Sequence, residues 1–239
     1  MLNNKLSTSK FWLWFGWVVV NALGGAIGVL ACAATGIENL TDYPQITIFA
    51  LTTAITVSTC QAIFVQKQYI PKQRTAIVTV WIFISSFCSA LMIIAAPIIM
   101  FLVALLLISI PSSGTSGQGV QYLFFGLMFI IFGLISGVVT GFAQHFVLSG
   151  AAGKSKRRWI IYSGIGGALG LGIAAIIVSV FFKEPIFIMD GYSKAKSLSM
   201  YGMTVFNTIG GIINGAVTGI EIVRLFGELH PRFSSVHEE

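Results

Sequence analysis

Charge is scarce in this chain. Only 9% of its 239 residues are Asp, Glu, Lys or Arg, against about 25% in an ordinary soluble domain. Hydrophobic residues make up 56%, and the mean hydropathy of +0.89 agrees. Together these exclude a soluble globule. Cysteine is also rare. Cys32, Cys60 and Cys88 all fall in apolar stretches, and their odd number argues against a disulfide framework, so they read as small packing residues. Of three histidines, only His145 lies in an apolar run, the others being His230 and His237 near the C-terminus. A bis-histidine haem within one chain is therefore excluded.

Enzyme signatures are missing as well. There is no Walker loop, no HExxH, no GxSxG and no Cys/His metal array, so no catalytic residue, metal or cofactor is assigned and a non-enzyme is expected. The glycines from Gly164 to Gly172 lie in an apolar run and do not follow a strand, which removes a dinucleotide-binding reading.

What the chain does have is six long apolar runs, at 11–33, 45–66, 76–109, 121–149, 159–182 and 200–226. A hydrocarbon core about 30 Å thick needs about 20 such residues per helix. Segments of this length in lipid must satisfy their own backbone hydrogen bonds, so they are expected to be helices. A transmembrane β-barrel would show short alternating segments instead. The predicted fold class is thus all-α, an integral membrane protein of six transmembrane helices in a single membrane domain spanning 1–239.

The few charges are ordered along the chain. Lys5 and Lys10 precede the first run; Lys67, Lys72 and Arg74 follow the second; Lys154, Lys156, Arg157 and Arg158 follow the fourth; Arg224 and Arg232 close the chain. These are eleven of the fourteen basic residues. Such alternation places both termini in the cytoplasm, with a cytoplasmic tail at 227–239, and fits a bacterial inner membrane. It also makes the net charge of +6 a topology signal, with no soluble basic domain for nucleic acid. The first run is too long for the apolar region of a cleaved signal peptide and is expected to stay as a span.

A repeat runs through the spans. Trp17-VVVNALGGAIG and Trp159-IIYSGIGGALG both read Trp, six residues, then Gly-Gly-Ala-x-Gly, and a weaker copy begins at Trp81. The partner run of each copy carries Ala54/Ser58/Gln61, Gly137/Gly141/Gln144 or Gly215/Gly219/Ile222. Trp81 to Gln144 and Trp159 to Ile222 are both 63 residues, and Trp17 to Gln61 is 44. Three tandem helical hairpins follow, at about 11–74, 75–156 and 157–226. The length difference falls on the external side, near Pro97–Ile110 in unit two and near Phe181–Ser199 in unit three, and residues 76–109 are too long for one simple span. Pro97 is the natural break, followed by a short interfacial or re-entrant helix and a polar linker from Pro111.

Small residues are expected at helix contacts, because helices in lipid associate through close backbone packing. The candidates are Gly24, Gly28, Gly137, Gly141, Gly166, Gly170, Gly215 and Gly219. Trp12, Trp14, Trp17, Trp81 and Trp159 start the odd-numbered runs and read as an aromatic belt at the headgroups.

Polar residues within the spans are the functional candidates. Asn207, Gly211, Asn214, Thr218 and Glu221 lie within about 80° on a helical wheel, forming a stripe along the sixth run. Arg224 can pair with Glu221 one turn on. Gln61 and Gln144 close the small-residue faces of the second and fourth runs, and His145 follows Gln144 about 100° off that face. The leading expectation is an accessory, assembly or interaction subunit of a larger membrane complex, with the bilayer and other membrane subunits, or a second copy, as partners. The alternative is a small channel or transporter with a polar path along the sixth helix. A pigment-binding subunit, with His145, Gln61 or Gln144 as ligand, is a minor one.

Overall fold

A computed structural model describes residues 2–36, 43–67, 74–108, 118–152, 157–181 and 200–227. They form six helices: α1 (Leu2–Ala33), α2 (Tyr43–Gln66), α3 (Arg74–Ile108), α4 (Gln118–Ala152), α5 (Arg158–Phe181) and α6 (Met200–Gly227). Each contains a segment of 20 to 26 residues long and apolar enough to cross a membrane. The segment from 228 to the C-terminus and the connections carrying Lys72, Lys154, Lys156, Lys183, Lys194 and Lys196 lie outside the described residues.

Two boundaries differ from expectation. α3 runs without interruption through Pro97, so there is no separate interfacial or re-entrant helix after Ala96. Proline removes one backbone donor, and a long apolar helix in lipid absorbs that loss because leaving the helix would expose many more unpaired groups. At the linker expected from Pro111, Gln118 and Gly119 already belong to α4.

The helices form a closed ring in chain order. Each packs extensively on its sequence neighbours, and α1 closes the ring against α6. The middle of α1 and the starts of α3 and α5 meet the ends of α2, α4 and α6 in one apolar cluster, which includes Trp17, Val65, Trp81, Leu148, Trp159 and Phe226. Neighbouring helices therefore run antiparallel. At the opposite end, Val29, Cys32, Phe49, Val178 and Met203 form a second cluster, and Phe129 of α4 meets Phe206 of α6 edge-on at 5.6 Å.

The distribution of polarity is that of a protein in lipid. Phe83, Phe87, Ile94, Ile98 and Phe101 on α3 are exposed, as are Leu23, Ile27 and Leu30 on α1. Asn21, Gln61, Ser85, Gln144, Thr218 and Glu221 are buried. A bundle facing water would reverse this arrangement.

Close approach of the helices is set by glycine. A Cβ on Gly24 would lie 2.9 Å from Val57 Cα and one on Gly28 2.7 Å from Thr53 Cα, both across the α1–α2 contact. Between α4 and α5, Gly133 and Gly137 lie against the carbonyls of Gly167 and Ser163, and Gly141 against the Ser163 side chain. Gly170 faces the Gly210 carbonyl on α6, while Gly215 and Gly219 of α6 face Val18, Asn21 and Trp14 of α1. Neither α2 nor α3 contains a glycine.

Candidate functional site

The ring surrounds a half-open cavity of about 250 Å³ with residues of all six helices in its wall. The sequence explains why space remains there. Gly25, Gly166, Gly170, Gly210 and Gly211 line it, and all but Gly210 lie hard against a neighbouring helix, so small residues let the wall helices pack around the space.

Its polar wall is uncharged. Amides come from Asn21, Gln61, Gln144, Asn207 and Asn214. Hydroxyls come from Ser58, Ser85, Ser89, Ser136, Thr140, Ser163 and Thr218, and among the described residues no Asp, Glu, Lys or Arg lines the space.

One hydrogen-bond network ties the wall together. Thr218 donates to the Asn214 carbonyl at 2.7 Å and accepts the Trp17 indole N–H at 2.8 Å. Asn21 donates to the Trp17 carbonyl one turn back, at 2.8 Å, and its Oδ1 accepts from Gln61 Nε2 at 2.8 Å. Gln61 Oε1 accepts from Trp81 Nε1 at 3.3 Å and from Gln144 Nε2 at 3.5 Å. Gln144 Nε2 also donates to Ser85 Oγ at 2.9 Å, while Gln144 Oε1 accepts from Trp159 Nε1 at 3.3 Å. The chain of bonds passes through all six helices. Buried amides of this kind are stable only when their donors and acceptors are matched.

The three central tryptophans are not at the lipid interface. Trp17, Trp81 and Trp159 are at most 1% exposed. Trp159 stands between the other two, with ring centroids 6.1 Å from Trp17 and 6.2 Å from Trp81, both edge-to-face. Trp17 and Trp159 line the cavity, with Trp81 packed on Trp159 behind them; each indole offers apolar bulk and one N–H for a neighbouring amide or hydroxyl. Trp12 keeps the expected outward position, at 61% exposed. Trp14 is intermediate and donates to the Ala216 carbonyl at 2.9 Å.

The sequence-predicted residues separate into two groups. Gln61, Gln144, Asn207, Asn214 and Thr218 share the cavity. Glu221, Arg224 and His145 are outside its wall. Glu221 is buried at the level of the tryptophans, with its carboxylate 4.0 Å from the half-exposed Arg224 guanidinium. His145 is half-buried beside Phe146. Of the eight glycines, Gly137, Gly166 and Gly170 border the cavity as well as a helix contact.

Asn21, Ser85 and Ser163 are site residues that the sequence reading missed. Their signal was available: each stands four positions after a repeat tryptophan. Ser163 differs from the other two. Its residue is 7% exposed and its Oγ has no hydrogen-bond partner among the described residues.

Comparison with protein-family models, with curated proteins and with solved structures gives no match.

Proposed function

We propose that this chain is a membrane conduit that holds a small uncharged hydrogen-bonding solute at the centre of the six-helix ring. The observation that carries the reading is the cavity itself, about 250 Å³ and walled by amides and hydroxyls of every helix. Its volume is below the range of about 300–1,000 Å³ common for drug-sized ligands. An ion would lose its hydration there without meeting an opposite charge, a penalty of several kcal/mol. A neutral polar solute exchanges water for the Asn, Gln, Ser and Thr groups instead. The apolar clusters beyond each end of the cavity supply the barriers that a conduit opens in turn.

The scaffold is read as three hairpins of one ancestral unit. The supporting detail is the recurrence of two bonds. In units one and two the glutamine donates to the side chain four residues after its own unit's tryptophan, as Gln61 to Asn21 and Gln144 to Ser85. The next unit's tryptophan donates back to that glutamine, as Trp81 to Gln61 and Trp159 to Gln144. The basic clusters orient both termini toward the cytoplasm, in a bacterial inner membrane.

The accessory-subunit reading is second. It is favoured by the outward ridge of α3, where Phe83 and Phe87 stack at 6.3 Å, 70% and 60% exposed, a surface suited to another membrane helix as well as to lipid.

Stopped-flow swelling of vesicles containing the purified protein tests the conduit. Neutral solutes of a few heavy atoms should enter faster than in protein-free vesicles, and Na⁺ and Cl⁻ should not. Equal rates with and without protein, together with a stoichiometric co-purifying membrane protein, would favour the second reading.

A further inference from the structure

Unit two breaks the repeat at the three positions that fasten the other odd-numbered helices. Seven, eight and eleven residues after the repeat tryptophan stand Gly24, Gly25 and Gly28 in α1, and Gly166, Gly167 and Gly170 in α5. In α3 the same places hold Cys88, Ser89 and Met92. The glycines seat backbone against backbone on both sides of their helix. A Cβ on Gly28 would lie 2.7 Å from Thr53 Cα of α2, and one on Gly25 2.7 Å from the Asn207 carbonyl oxygen of α6. On α5, Gly167 lies against the Gly133 carbonyl of α4, and a Cβ on Gly170 would be 2.8 Å from the Gly210 carbonyl oxygen of α6. Backbone contacts therefore join α2, α1, α6, α5 and α4 into one arc. Among the described residues no glycine makes such a contact with α3.

Along its length, α3 is fastened at one end. At the inner end Trp81 donates to Gln61 at 3.3 Å, Ser85 accepts from Gln144 at 2.9 Å, and Ile77, Val78 and Ile82 pack on the tryptophan cluster. At the other end, Val29, Cys32, Phe49, Val178 and Met203 come from α1, α2, α5 and α6, with no α3 residue among those described. Met92 and Val103 are buried, so side-chain packing holds this half. The helix also has two weak points. The Ser89 hydroxyl donates to the Ser85 carbonyl at 2.9 Å, a bond that bends helices, and Pro97 removes a backbone donor.

The cavity wall on this side consists of Ser85 and Ser89. We infer that α3 is the moving stave of the ring: its outer half swings away from the fixed arc about Ser85–Ser89 and opens the cavity past the outer apolar cluster. The swing exchanges protein contacts for lipid contacts of the same apolar kind, so little opposes it. Ser89 keeps its bond within its own helix and leaves no new donor unpaired. The inference rests on the conduit reading and names its moving part.

Spin labels on azide-bearing side chains, with the three native cysteines left in place, test it in vesicles of the full chain. Pulsed electron paramagnetic resonance reads three pairs at exposed positions: Ile98–Leu30 from outer α3 to α1, Leu30–Ile173 across the arc, and Phe83–Ile161 from inner α3 to α5. The Ile98–Leu30 distance distribution should be at least about 2-fold broader than the other two, or split. A width equal to theirs, or equal broadening of all three, overturns the inference. Cys88→Gly/Ser89→Gly/Met92→Gly restores the pattern of α1 and α5. It should narrow the Ile98–Leu30 distribution and slow glycerol entry about 10-fold. If it does not fold, Cys88→Gly/Ser89→Gly replaces it with the same expectation. A narrowed distribution with unchanged entry overturns the gating role. Glycerol entry through wild type whose Ile98–Leu30 distribution is narrow leaves the conduit reading standing without this gate. A broad distribution with no entry of any neutral solute overturns the conduit reading instead.

Discussion

Gln61 Nε2 donates to Asn21 Oδ1 across 2.8 Å, and both side chains are buried in the middle of the ring. The same Gln61 accepts from Trp81 and Gln144, so one amide joins α1, α2, α3 and α4. Replacing it should disturb more than one bond. Gln61→Leu leaves Asn21 Oδ1 and the Trp81 indole without this partner. The expected loss is about 1–3 kcal/mol, since membrane helices recover part of such energy through alternative partners. Thermal unfolding in mild detergent reads it. Gln61→Asn, which keeps the amide and shortens its reach, should fall between wild type and leucine.

Glycine contacts predict a sharper contrast. Gly28→Val places a Cβ 2.7 Å from Thr53 Cα, and backbone cannot step aside as a side chain can. The expected penalty is about 3 kcal/mol or more, seen as loss of the monodisperse peak in size-exclusion chromatography. Gly36 supplies the control. Nothing lies within 4 Å of a Cβ there, but its φ is +81°, so Gly36→Ala carries only the strain of a left-handed residue, about 1 kcal/mol. Gly36→Asn should be milder still.

The six spans were legible because length and hydropathy decide them almost alone. The ring was not: apolar runs say which residues avoid water without saying which helix each one meets. Trp17, Trp81 and Trp159 were misread for a physical reason. A tryptophan at a helix start suits the headgroup layer and also a buried cluster with an acceptor for its N–H, and only the neighbouring Gln61, Gln144 and Thr218 distinguish the two. Pro97 was misread because a helix-breaking residue in water is tolerated in lipid. The sixth-helix stripe was legible through Asn207, Asn214 and Thr218. It overran at Glu221 because the tryptophan cluster fills the ring at that level, which helix periodicity does not record.

That division predicts different outcomes for two neighbours on α6. Asn214 lines the cavity, whereas Glu221 lies outside its wall with Arg224 at 4.0 Å. Asn214→Leu should reduce neutral-solute flux at least 10-fold, by adding apolar bulk and removing an amide from the wall. Glu221→Gln, close in size and still able to hydrogen-bond, should leave flux within about 2-fold. A carboxylate that couples movement to protons would give the opposite ranking, with Glu221→Gln abolishing flux.

The tryptophan cluster gives the last prediction. Trp159 packs edge-to-face on both Trp17 and Trp81, and all three are at most 1% exposed. Trp159→Phe keeps an aromatic ring but removes the N–H that reaches Gln144 Oε1. Fold and flux should change little, with a stability loss of about 1 kcal/mol. Trp159→Ala removes the central ring and should cost about 3–5 kcal/mol. In the fraction that folds, the barrier between the cavity and this end is thinner, so neutral-solute entry should be faster than in wild type while ions remain excluded. Swelling rates normalised to folded protein, determined by size-exclusion chromatography of each preparation, separate the two effects. Slower entry in folded Trp159→Ala would place the rate-limiting barrier elsewhere, at the Val29–Phe49–Met203 cluster of the opposite end.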